Sequence, residues 1–159
     1  MHMSGRLSCC ILLVGLASLS ADSIQRPDLS GLWRLEPSRS EIHSRISPQL
    51  ILQIEQKADT IHLVQQTGEK GKPDDFKCAM DGKDCKVKEE GHAATVSFYY
   101  NGPVLVEIKS EGQNHDIVTK KRLQLSPDGS TLTVDVIHVM PEGRQPEKLV
   151  LTRQSGDRH

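Results

Sequence analysis

Apolar and polar residues alternate with a period of two along most of this chain, and Gly, Pro, Asn and Asp break the alternation at short intervals. In "LILQIE", Leu50, Leu52 and Ile54 share one side, and beyond Lys57-Ala58-Asp59 the residues Ile61 and Leu63 do the same. In "DIVTKKRLQL" the less polar side carries Ile117, Thr119, Lys121, Leu123 and Leu125; in "TLTVDVIHVM" it carries Leu132, Val134, Val136 and His138. A two-residue period belongs to a strand with one buried face. Further turn signals at Asp81-Gly82, Asn101-Gly102-Pro103, Pro127-Asp128-Gly129 and Pro141-Glu142-Gly143 mark off consecutive short strands, which predicts an all-β domain. No segment carries a sustained helical period, and "EPSRSEIHSRI" from Glu36 to Ile46 has room for a turn or two of helix at most.

The buried face also constrains register, because a slip of one residue turns every side chain over. A four-residue loop from Pro127 to Ser130 sets Leu125 against Leu132, Leu123 against Val134 and Thr119 against His138, keeping both apolar sets on one side. At Asn101-Gly102 a two-residue loop would set Val96 against Glu107 and Phe98 against Leu105, which places a carboxylate on the core face. A three-residue bulged loop instead sets Phe98 against Val104, Val96 against Val106 and Ala94 against Ile108. The bulged loop, with Val106 and Ile108 inward, is therefore the expectation. A meander of about eight to ten such antiparallel strands cannot stay flat without exposing two edges and one apolar side. Closure into a single up-and-down β-barrel resolves both problems, a sandwich being the alternative.

Residues 1–21 place Arg6 ahead of an apolar run from Leu7 to Leu19, with small residues at Ser18, Ser20 and Ala21. That is the pattern of a cleaved secretory signal, and the run is shorter than the ~18–20 residues that span a bilayer. Residues 22–159 are then expected to form one secreted domain, periplasmic or extracellular, without Cys9 and Cys10. Cys78 and Cys85 remain, flanking Asp81-Gly82. A two-residue hairpin turn there sets the cysteines directly opposite each other, and an oxidising compartment makes them a disulfide. A redox dithiol favours closer spacing, and zinc wants two further ligands that no nearby cluster supplies. Lys and Arg, numbering 20, are interspersed with 21 Asp and Glu, so no basic block invites nucleic acid.

"SGLWRLEPSRS" at the first strand, the secretion signal, "LSPDGSTLTV" as a late hairpin and "EKLVLTR" as the final strand resemble bacterial secreted lipocalin-like proteins of the calycin group. The resemblance implies a barrel whose Gly-x-Trp starts the first strand, with the indole plugging the closed end under an Arg from the last strand. Here those residues are Gly31, Trp33 and Arg153, and the first and last strands become neighbours. A guanidinium over an indole contributes ~0.5–2 kcal/mol according to burial. Trp33, the single tryptophan of the chain, thus has a structural role.

The resemblance also implies an enclosed small hydrophobic ligand of fatty-acid or lipid type. The inward set that would meet it is Leu52, Ile54, Leu63, Val96, Phe98, Val106, Ile108, Leu123, Val134 and Val136, together with the polar Thr119, Lys121 and His138. Lys121 stands out, because a buried ammonium needs an anion or a route to water. As a carboxylate anchor it would use Thr119 and His138 as hydrogen-bonding neighbours; as a rim lysine it would only reach solvent. The alternative to a carrier is a filled barrel acting as an envelope or extracellular interaction module. There is no Gly-x-Ser-x-Gly elbow, His-Glu-x-x-His or phosphate loop, and His43, His62, His92, His115 and His138 are scattered. No catalytic residue, metal or cofactor is assigned, chemistry inside the barrel is the weakest reading, and a monomer without a membrane span is expected.

Overall fold

Each alternating segment becomes a strand. The computed structural model describes residues 26–155 apart from 45, 69, 70 and 113; the expected signal segment lies outside the described residues. The strands are β1 (Gly31–Leu35), β2 (Leu50–Lys57), β3 (Thr60–Thr67), β4 (Asp74–Ala79), β5 (Cys85–Glu89), β6 (His92–Asn101), β7 (Val104–Glu111), β8 (Ile117–Leu125), β9 (Thr131–Met140) and β10 (Glu147–Gln154). Pro37–Arg39 adds one 3-10 turn after β1. Among the described residues no helix is long and apolar enough to cross a membrane.

All ten strands belong to one antiparallel sheet in the order β4-β3-β2-β1-β10-β9-β8-β7-β6-β5. The first and last strands are neighbours, with Trp33 opposite Arg153, so the sheet curls into an up-and-down, lipocalin-like barrel. Its two edges, β4 and β5, are consecutive in the chain and form no ladder. The Cys78–Cys85 disulfide, with its Cα atoms 5.9 Å apart, joins them at one end. At the other, Asp74 Oδ1 accepts a 2.7 Å hydrogen bond from the Glu90 N–H.

Two expected hairpins differ from the structure. Asp81-Gly82 does not make a two-residue turn: Gly82 has φ +78° while Asp81 stays out of the positive-φ region that such a turn requires of both residues. The connection is drawn onto neighbouring strands instead, with the Met80 N–H donating to Asp59 O and the Gly82 N–H to Phe98 O. The cysteines pair as expected, but across the opening in the sheet rather than within a ladder.

The second difference reaches the interior. Asn101 pairs with Val104, leaving Gly102-Pro103 as the loop, and Gly102 at φ +60° supplies the first central position of a glycine-first hairpin turn. Phe98 therefore lies opposite Glu107 and Val96 opposite Lys109, and β7 is turned over relative to the bulged register. Val106 and Ile108 are outward-facing: Val106 lies between Tyr99 and Arg122, Ile108 between Ser97 and Lys120. The carboxylate that argued against this face has a partner, since Glu107 pairs with Lys121 on the next strand. That removes the penalty for burying it alone. The β8–β9 register is as expected, with Thr119 opposite His138, Leu123 opposite Val134 and Leu125 opposite Leu132.

Candidate ligand-binding interior

The barrel is sealed at the end where β1 begins and β10 finishes. Trp33 is fully buried; its Nε1–H donates to Leu29 O at 3.0 Å, and the Arg153 guanidinium lies 4.4 Å from the centre of its ring. Arg153 is locked in place by donating from Nε to Gly129 O at 2.8 Å and from Nη1 to Ser30 O. Glycine at 31 is needed for the same reason. Its φ is +152°, and a Cβ there would sit 2.8 Å from Arg153 Nη1. The segment Arg26–Ser30 crosses this floor beneath Tyr100 and Gln56. Tyr100 Oη lies 3.0 Å from Pro27 O and 3.1 Å from Gln56 Oε1, and burial holds its phenol above the ordinary pKa.

Higher on the wall the lining changes character. Along β7, β8 and β9 one inner row reads Leu105, Leu123, Val134, the next Glu107, Lys121, Val136, and the next Lys109, Thr119, His138. Polarity thus rises in steps from floor to mouth. Glu107 is 2% exposed, and Lys121 Nζ lies 2.8 Å from its Oε1. That contact is an ion pair out of hydrogen-bonding alignment, and no hydrogen bond is directed at the buried Oε1. Lys109 Nζ meets Glu89 Oε2 at 2.6 Å and Glu111 Oε1 at 3.1 Å. Burial by itself would lower the Lys109 pKa, but Glu89 and then Glu111 outweigh it and hold the ammonium above its usual value.

The mouth is crossed by the stretch between the 3-10 turn and β2. Glu41 bridges to Lys148, and Ile42 and Ile46 pack against the core. Glu147, the first residue of β10, points inward and accepts from the His43 N–H at 2.8 Å, from the Ser44 N–H, and from Ser44 Oγ at 3.1 Å. Burial pushes its carboxyl up, yet these donors and the nearby His138 bring it below the ordinary value. A rim crevice of about 320 Å³ lies here, lined by His43, Ser44, His138, Arg144, Gln145 and Glu147.

Of the residues singled out from sequence, Leu52, Ile54, Leu63, Val96, Phe98, Leu123, Val134 and Val136 lie in the buried core. Thr119, Lys121 and His138 share the inner face of β8 and β9. Lys121 is not a free cation, because Glu107 engages it. Sequence reasoning missed Glu107, Lys109, Glu89 and Glu147, along with Phe76 and Val87 of the wall. The signal for Glu107 was present, since an inward Lys121 required an anion. Among the described residues no three His, Cys, Asp or Glu side chains come together as a metal site.

No protein-family model matches the chain, and no curated protein matches its sequence. Several solved structures share its architecture. Secretory abundant heat soluble protein 4 from Ramazzottius varieornatus superposes with a TM-score of 0.62 at 12% identity, over 84% of this chain and 100% of that one. The REP1-NXSQ fatty acid transporter gives 0.63 at 11%, over 81% and 98%. Fatty-acid-binding protein 1 of Echinococcus granulosus gives 0.61 at 11%, over 79% and 97%. The fold is the up-and-down β-barrel that these structures share. At these identities the likeness establishes the barrel alone, and the chemistry of this interior has to be read from its own side chains.

Proposed function

We propose that this barrel binds and carries a small hydrophobic or amphipathic molecule, as a secreted monomer released from its Met1–Ala21 signal. One observation carries the reading: the inner wall is apolar and sealed at the floor, and it turns polar toward the mouth, from Leu105, Leu123 and Val134 to Lys109, Thr119 and His138. Trp33, Ile61, Leu105, Leu132 and Leu151 have no exposed surface. Phe76 and Val87, buried but for 7–8% of their surface, flank the unpaired edges of β4 and β5. An apolar wall ending in a few convergent polar groups suits a molecule with a greasy body and a polar head. Two of the similar structures bear fatty acids in their names, which supports the ligand class without naming the ligand.

Native mass spectrometry of freshly purified protein tests this, together with displacement of a neutral fluorescent probe. A retained lipid-sized mass, or saturable probe binding, is expected. No retained mass, no probe binding and tight association with another protein would favour the filled-barrel interaction module.

A further inference from the structure

We infer that the ligand of this barrel enters and leaves through its side, by a slit between β4 and β5, with the Cys78–Cys85 disulfide as the slit's fixed end and the hydrogen bond between Asp74 and Glu90 as its latch. The inference rests on the carrier reading above and concerns the route into the same interior. Both ends of the barrel are obstructed. Trp33 and Arg153 seal the floor, and the segment holding Ile42 and Ile46 crosses the mouth, where Glu147 accepts from the His43 and Ser44 N–H groups. The wall is laddered from strand to strand except between β4 and β5, which end the sheet on either side.

The slit has its own organisation. Cys78 faces Cys85 across it, and two residues on from the bridge along each strand Phe76 comes opposite Val87. Both side chains are buried behind the opening, and the Phe76 ring centre is 6.5 Å from that of Phe98, so an apolar molecule passing between the strands meets the core directly. The positions that alternate with them are charged and exposed, Asp75 and Lys77 on one edge, Lys86 and Lys88 on the other. Charged edges resist pairing with a further strand, which keeps the slit free as a passage. At the disulfide end the Met80 N–H donates to Asp59 O and the Gly82 N–H to Phe98 O, so each edge is anchored to its own side of the barrel and the disulfide ties the two sides together. At the other end Asp74 Oδ1 accepts from the Glu90 N–H at 2.7 Å in an exposed setting. A crevice of about 830 Å³ lies against this latch, bordered among the described residues by Pro73, Asp74, Lys88, Glu90 and Gly91. One exposed hydrogen bond is a weak closure compared with a ladder. The slit opens from the latch and pivots on the disulfide.

A gate changes rates and spares affinity, because entry and exit cross the same barrier. The test follows Nile red, a neutral dye, into and out of the full chain by stopped-flow fluorescence. Asp74→Ala cuts the latch and should raise the association and dissociation rates together by about fivefold, as loss of one such bond implies, with the equilibrium affinity within about twofold of the parent's. Asp74→Asn keeps an acceptor at the same place and should keep the parent's rates. Cys78→Ser combined with Cys85→Ser frees the fixed end and should also speed both rates several-fold. Asp128→Ala removes the acceptor of Ser126 and Ser130 in the remote turn between β8 and β9 and should leave the rates as they are, which separates the latch from a general loosening of the barrel.

Parent-like rates in Asp74→Ala, or in a folded Cys78→Ser/Cys85→Ser protein, while the dye still binds, would overturn the slit and leave the carrier reading standing. So would a loss of affinity carried by dissociation alone, or an equal acceleration in Asp128→Ala. Failure of the parent to bind Nile red would overturn the carrier reading and this inference with it.

Discussion

The ion pair between Glu107 and Lys121 offers the sharpest test of how the interior is built. At 2.8 Å, with an effective dielectric near 20, the Coulomb attraction is about 6 kcal/mol, most of which desolvation offsets. The pair is therefore worth little compared with two well-packed apolar side chains, while either partner alone is costly. Glu107 is almost wholly buried and Lys121 keeps 22% of its side chain exposed, so removing the lysine is the more damaging change. Lys121→Met should destabilise the protein by about 3 kcal/mol through the uncompensated carboxylate. Lys121→Met combined with Glu107→Leu should return to within about 1 kcal/mol of the parent. In urea at neutral pH, with a slope of roughly 2 kcal/mol per molar, the single variant's midpoint falls by about 1.5 M and the double variant's largely recovers. A Lys121→Met midpoint equal to the parent's, or a double variant as unstable as the single, would refute the pairing and the β7 register behind it.

Three further outcomes follow from the fold. Arg153→Ala removes the guanidinium over Trp33 and two bonds to backbone carbonyls, so a loss of about 1–2 kcal/mol is expected, with a red shift of fluorescence from the chain's one tryptophan; an unchanged spectrum would contradict a sealed floor. Replacing Cys78 and Cys85 by serine should cost about 2–2.5 kcal/mol, from the short loop it closes, and thermal unfolding with and without reductant measures it. Glu147 has a lowered carboxyl pKa, so its contribution is complete above the unfolded value of 4.5 and is lost as acid carries the pH down through the folded value. Protection of the His43 and Ser44 amides, taken relative to the intrinsic exchange rate at each pH, should fall over that acid range in the parent, whereas Glu147→Gln should show weak protection throughout. Acid-insensitive protection in the parent would show that Glu147 does not hold the mouth segment.

Strand identity and antiparallel order were written in local pattern, because alternation depends only on which side of each strand is greasy. The closing contact between β1 and β10, with Trp33 under Arg153, came from the resemblance to lipocalin-like barrels. The β8–β9 register followed because both its faces are unambiguous, apolar against apolar. What local pattern could not decide was β7, where Val104, Val106 and Ile108 offer one apolar side while Leu105, Glu107 and Lys109 offer a mixed one. Two strands taken alone favour the side without charge.

The third strand reverses that choice, because Lys121 places a cation where only Glu107 can meet it, and a buried charge is judged by its partner rather than by its residue type. The same holds at Cys78 and Cys85: their pairing was legible from spacing, but whether they lie within a ladder or across an opening depends on which neighbours claim the backbone of Met80 and Gly82. The sequence by itself determined the strands, their antiparallel succession and the inward direction of Lys121, and its resemblance to lipocalin-like barrels supplied the seal. Only the tertiary structure decided which charges neutralise one another inside, since electrostatic energy depends on distances between strands that no single hairpin contains.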